Sequence, residues 1–180
     1  NQPKPKGYLS LNYPKSSYYE FLNKKFPFRF EYNSIAKVEK ISNSSYKVSY
    51  PNMKATIYLN YYKVNQNLDS LLNDAYKLPY RHIVKATEIP ERIFVNKNEK
   101  VYGTLFSVIG NAASQFQFFL TDSSRNFLVG SLYFYSKPNY DSLYPAIKYI
   151  EKDISHLFNT LKWNESSSFK PVKSDKTYCI

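Results

Sequence analysis

Apolar and polar residues alternate along most of this chain, and the period lengthens in only three places. Phe26, Phe28, Phe30 and Tyr32 alternate with Pro27, Arg29 and Glu31, which predicts a strand with one buried and one wet side. Residues 35–41 and 46–50 flank the polar cluster SNSS and predict a hairpin. Over 53–64, Met53, Ala55, Ile57, Leu59 and Tyr61 fall on one side, with Lys54, Thr56, Tyr58 and Asn60 on the other. Leu9, Leu11 and Tyr13 suggest a short strand stopped by Pro14. Further strands are expected over 82–95, bent at Pro90, and over 101–109, 115–121 and 127–136. Short polar turns join them: NKNEK at 96–100, Asn111–Ser114 and TDSSRN at 121–126. Strands joined this way form a meander.

The longer period comes first over 18–24, where Ser16 and Ser17 could cap a short helix with Tyr18, Phe21 and Leu22 on one face. It returns from residue 66, where Leu68, Leu71, Leu72, Ala75 and Leu78 recur every three or four residues until Pro79. It is clearest over 141–163. There Leu143, Ile147, Ile150, Ile154, Leu157, Phe158 and Leu161 form a stripe opposite Lys148, Glu151, Lys152, Ser155, Asn159 and Lys162. A helix of that kind must bury its stripe, and the sheet is the available partner. The pattern therefore predicts an α+β fold: one domain over 8–163 with a meander-rich antiparallel sheet, a long C-terminal helix and shorter helices packed on it. Residues 1–7, NQPKPKG, read as an extended tether, and the Ser- and Lys-rich stretch 164–180 as a C-terminal tail. The strand and helix order is similar to that of Mog1/PsbP-like folds, an analogy of fold only.

Composition narrows the chemistry. At 180 residues one domain is the default. Nineteen Tyr and thirteen Phe favour strands and large aromatic contacts. Four Gly leave no material for the clustered glycines of dinucleotide or P-loop phosphate cradles. Cys179 alone cannot form an intramolecular disulfide or a multi-cysteine metal site, and it does not match a prenylation box. With His82 and His156 the only histidines, no metal and no cofactor are expected. The net charge of +11 could attract nucleic acid, an anionic membrane or an acidic partner. Only four of the 25 basic residues are Arg, and the lysines are scattered singly. That argues against sequence-reading nucleic-acid binding and for a solvated surface. No run is long enough to span a membrane as a helix.

Three catalytic readings can be drawn, and each has a plainer rival. Asp122, Ser123, Ser124 and Asp141 with His82 invite a nucleophile–base–acid arrangement. Yet Asp122-Ser123-Ser124 sits where a turn is expected, and Asn139, Asp141 or Ser142 sits where the last helix starts and its free amides need acceptors. No glycine-flanked serine elbow is present. Glu88 and Glu91 straddle Pro90 and tend to opposite faces of an extended chain, so they do not pair as glycosidase carboxylates do. His156 falls at the boundary of its helix's apolar side. Tyr58, Tyr62, Tyr133 and Tyr135 could stack against sugars or bases, against the simpler reading of ordinary sheet packing.

Five segments taken in order carry a resemblance. PKPKGY at 3–8, NMKATIYLNY at 52–61, HIVKATEIPERIF at 82–94, VYGTLFSVIGNAASQFQFFLTDSSRNFLVGSLYF at 101–134 and PNYDSLYPAIKYIEKDISHLFNTLKW at 138–163 resemble the gliding-motility lipoprotein family GldD. GNAAS at 110–114, TDSS at 121–124 and PNYDS at 138–142 are the most distinctive pieces. The resemblance implies a Bacteroidota-type cell-envelope lipoprotein, periplasm-facing and lipid-anchored, tied to gliding and to the type IX secretion machinery. It brings no enzymatic activity and no catalytic residues. It implies protein partners within that apparatus, other envelope lipoproteins among them. The family is anchored through a lipidated N-terminal cysteine, which is expected to precede Asn1, with NQPKPKG as the tether. Lys4 and Lys6 would then lie near the headgroups of an anionic leaflet.

The connections at 110–115, 121–126 and 137–142 are expected to cluster at one end of the sheet as the partner surface, since loops carry recognition. Its residues would be Asn111, Ser114, Asp122, Ser123, Arg125, Asn139 and Asp141. Charge-altering changes at Asp122, Arg125 and Asp141 should then abolish partner capture without lowering the melting temperature. A glycan-binding module using exposed tyrosines is the alternative, and a hydrolase around His82 and Asp122 the third reading.

Overall fold

A computed structural model describes residues 13–81, 83–137 and 139–164, without the side chains of 83–87. The expected strand at 9–13 (save Tyr13), Lys4, Lys6, His82, Cys179 and the stretch after Asn164 lie outside the described residues.

Among those residues the fold is α+β, built on antiparallel strands. Seven of them make the main sheet, in the order β3(Lys37–Ser42), β4(Ser45–Tyr50), β5(Ala55–Lys63), β11(Asn126–Phe134), β10(Ser114–Thr121), β8(Val101–Ser107), β7(Glu91–Asn96). Two meanders thus meet at the β5–β11 seam, where Asn126 pairs with Lys63 and Phe134 with Ala55. A three-stranded sheet holds β1(Tyr18–Phe21), β2(Phe28–Asn33) and β12(Lys162–Trp163), and a separate ribbon pairs β6(Ile83–Glu88) with β9(Ile109–Ala112). The helices are α1(Leu68–Lys77) and α2(Tyr140–Thr160).

The main sheet has apolar material on both faces. On one face, α2 and β2 bury their stripes: Ile147, Ile150, Ile154, Leu157 and Phe158 of the helix and Phe28 and Phe30 of β2 join Ile57, Leu59, Phe118, Leu120, Leu128 and Leu132. Each such side chain removed from water is worth about 2 kcal/mol. Gly130 lies beneath the Phe118 ring, where a Cβ would collide with it. On the other face, α1 covers Phe106, Phe119 and Phe127 through Leu68, Leu71, Leu72 and Ala75.

Four expectations are corrected. Residues 18–21 form a strand rather than the start of a helix over 18–24. Tyr18–Phe21 pairs with Phe30–Asn33, and the Phe21 ring packs on Phe26, Phe30 and Tyr46. Strand pairing to an aromatic neighbour overrides the local helical spacing. The strand expected over 101–109 ends at Ser107, and the chain turns a corner through Val108, whose N–H donates to the Gln115 carbonyl. Residues Asn111–Ser114 are therefore not a turn: Asn111 belongs to β9, and Ser114 opens β10 beside a bulge. Finally, the strands form three sheets, not one.

Candidate functional site

The three connections expected to cluster do not all meet. The Asn111 carboxamide oxygen accepts from the Tyr140 N–H at 3.0 Å, which joins β9 to the start of α2. Asn139 caps that helix by accepting from the Ser142 N–H, and Asp141 is exposed in its first turn. These residues do form one surface. The 121–126 turn lies at the opposite end of β10, about 20 Å away at the rise of an extended strand. Ser114 is 1% exposed and spends its hydroxyl on the Phe116 carbonyl, so no partner can reach it.

Asp122 is likewise absorbed by structure. One carboxylate oxygen accepts from the N–H groups of Ser124, Arg125 and Asn126, and the other from the Asn126 amide at 2.7 Å. Burial opposes its charge, but these bonds hold its carboxyl below the ordinary aspartate value. Ser123 stands at φ 67°, in the left-handed region such a turn requires. With these bonds in place, changing Asp122 is expected to cost stability, against the expectation that the melting temperature would hold. Ser123 and Arg125 are exposed at the turn.

Beside the β9–α2 junction the structure assembles something the pattern only half disclosed. Register places Tyr58 opposite Ser131 and Tyr133 opposite Thr56, on the same sheet face that α1 covers further along. Among the described residues α1 does not reach this end of the face, and Tyr58 and Tyr133 are half-buried there. Tyr58 and Tyr133 meet edge to face at 5.8 Å, and the Tyr58 and Tyr135 hydroxyls share a 2.7 Å hydrogen bond. With Ala113, Phe134 and Ser136 they line a depression of about 430 Å³, and Tyr135 is 63% exposed. Hydrogen bonds from Thr56 and Tyr58, helped by the charge of Lys47, hold the Tyr135 hydroxyl below the ordinary tyrosine value. The same bond, with some burial, raises the Tyr58 hydroxyl above the ordinary value. The cross-strand row from Tyr58 runs inward through Ser131 to Gln117, a buried amide with no hydrogen-bond partner among the described residues. Of the four tyrosines proposed for stacking, Tyr62 stands apart: its register partner is Phe127, at the far end of the strand pair.

A second polar cluster was missed altogether. Asp153 of α2 is 4% exposed and accepts from the hydroxyls of Tyr18 and Tyr50, both at 2.8 Å, and from the Asn33 amide. Asn33 also donates to Tyr149, whose hydroxyl donates to the Pro14 carbonyl. Burial raises the Asp153 carboxyl above its ordinary value, against the hydrogen bonds that favour its charge. The same surroundings push Tyr18 up to about 12. One turn on, His156 Nε2 lies 3.0 Å from Glu31 while its ring stacks flat on Tyr18 at 3.5 Å. The carboxylate is saturated by donors and the imidazole is turned toward a second carboxylate. The arrangement fastens α2 to β1, β2 and β4. The signal that could have found it is a lone Asp on the apolar stripe of the last helix, between Ile150 and Ile154.

An antiparallel α+β protein with an open aromatic patch is the class these features define. The chain belongs to the gliding motility lipoprotein GldD family, whose profile matches residues 1–163. Membership makes it a gliding motility-related lipoprotein and points to a membrane-anchored place in the cell envelope. A comparison with curated proteins finds no match. Among the described residues no helix is long and apolar enough to cross a membrane.

Proposed function

We propose that the protein is a non-enzymatic interaction component of the gliding and type IX secretion machinery, held on a Bacteroidota-type envelope membrane by an N-terminal lipid and facing the periplasm. It grips a protein partner of that apparatus, another envelope lipoprotein, through the Tyr58–Tyr133–Tyr135 patch and the adjoining Asn111, Asn139 and Asp141. Ser123 and Arg125 serve as a separate contact at the other end of β10, and Lys4 and Lys6 face the headgroups. The observation that supports this reading is the patch itself. Tyrosine anchors beside a polar rim are the composition of protein interfaces, and this group lies beyond the part of the face where α1 covers Phe106, Phe119 and Phe127. On the strand and helix order alone, we also propose a Mog1/PsbP-like kinship for the fold.

The test is purification from native membranes and identification of what co-purifies, with wild type beside a Tyr135→Ala, Asp141→Lys variant. The variant should lose its partner and keep its melting temperature. Undiminished capture would end this assignment of the surface.

A second reading, an envelope glycan binder, draws on the same tyrosines, because the depression they line falls in the size range of small-ligand sites. Glycan-array binding lost on Tyr133→Ala, a residue that lines the depression, would select it over the first.

A further inference from the structure

The main sheet ends in two edge strands that differ in character. At one edge, β3 exposes Lys37, Glu39 and Lys40 and breaks register between Lys40 and Ser42, the charges and irregularity that keep an edge from pairing. At the other, β7 (ERIFVN) is regular along its length, and Ile93 and Val95 are 76% and 54% exposed. Its inner neighbours are already placed: Phe94 packs on Phe158, and Arg92 donates to the Ser155 hydroxyl. The Ser107 N–H donates to the Pro90 carbonyl, so residues 90, 92, 94 and 96 turn their backbone groups toward β8. The N–H and C=O groups of Glu91, Ile93 and Val95 therefore point outward, along an edge that no strand among the described residues pairs.

We propose that this edge pairs with β7 of a second copy of the chain, antiparallel about a two-fold axis at Phe94, joining two sheets into one. The sequence of the strand is self-complementary in that register. Ile93 falls opposite Val95 of the second copy and Val95 opposite its Ile93, with the outward backbone groups of both exchanging hydrogen bonds. Arg92 falls opposite Asn96. Glu91 falls opposite Lys97, the first residue of the β7–β8 turn, and this pair occurs twice because the interface is isologous. Both are exposed, and neither makes an ion pair among the described residues. No like charges meet. A chain of net charge +11 repels its own kind, so local balance of this sort is what self-association would need. The contact is short, and a Kd of about 10–100 µM is expected in solution, tightened where chains share a membrane surface.

The test is sedimentation equilibrium of the full chain. Wild type should dimerise, whereas Ile93→Lys should remain folded by circular dichroism and be monomeric. Glu91→Lys alone and Lys97→Glu alone should each dimerise about tenfold more weakly, since each sets like charges opposite one another twice. An equimolar mixture of these two variants should recover the affinity, because both pairs become complementary across the heterodimer. Wild type that stays monomeric at about 500 µM, well above the range expected of so short an interface, overturns the proposal and leaves the edge to a strand of another protein. Single variants that associate as well as wild type, or a mixture that does no better than its components, would overturn it equally.

Discussion

Asp122 and Asp153 are both carboxylates saturated by hydrogen bonds, and they differ in where the donors come from. Asp122 takes all of its donors from the next four residues, three of them backbone N–H groups. Asp153 takes its donors from side chains 103 to 135 residues away, on β1, β2 and β4. The first closes a turn that the local sequence would form anyway. The second exists only once α2 has docked, and it fastens that docking. Their titration is opposed as well: backbone donors win over burial at Asp122, and burial wins at Asp153.

The largest effect should follow from removing the long-range acceptor. Asp153→Ala leaves the buried Tyr50 hydroxyl without its acceptor, strips the Asn33 amide of its bonds to the carboxylate so that only Tyr149 remains to accept from it, and releases Tyr18. A loss of about 3 kcal/mol is expected in urea denaturation. Asp122→Ala frees N–H groups on an exposed turn that water can reach, so its cost should be about 1 kcal/mol. Equal losses would show that the two carboxylates are not distinguished by the reach of their contacts.

The pH dependence sharpens the same contrast. The folded state raises Asp153, so its contribution is fully present below the unfolded carboxylate value, about 4, and is lost as pH rises through the folded value. The folded state lowers Asp122, so its contribution is present above that value and is lost as pH falls through the folded one. Asp153→Asn should therefore remove a decline in stability above about pH 4, and Asp122→Asn should remove a decline below it. Denaturation curves across that range for the two variants against wild type decide it. Changes of slope with the same sign in both variants would refute the assignment.

The same division explains what the sequence disclosed. The TDSSRN turn, the cap at Asn139, the 3.6-residue stripe of α2 and the alternation of β2 and β5 are governed by neighbours within a few residues, and they are where the pattern placed them. Tyr18–Phe21 was misread because its spacing suits a helix while its strand partner, Phe30–Asn33, lies a loop away. The corner at Val108 depends on a bond to Gln115, and the Asp153 cluster on three distant elements. Tyr58, Tyr133 and Tyr135 could be named as exposed aromatics, but that Tyr62 leaves the group is a fact of register between β5 and β11. Residues facing one another across a seam more than 60 residues apart carry no periodic mark.

The smallest effect belongs to the open patch, and it tests whether reach or burial sets the cost. The Tyr58–Tyr135 hydrogen bond spans 77 residues, a separation like those at Asp153, but it lies in water. If sequence separation governed stability, Tyr135→Phe would be as damaging as the loss of a donor to Asp153. If desolvation governs it, water replaces the missing hydroxyl, and the variant should unfold within about 0.5 kcal/mol of wild type. The Tyr58 hydroxyl, no longer bonded to Tyr135, should titrate closer to its ordinary value, which ultraviolet absorbance of the phenolate reads directly. A loss above about 1 kcal/mol would mean that the patch is part of the scaffold, and Tyr135 would then be withdrawn as a contact for any partner.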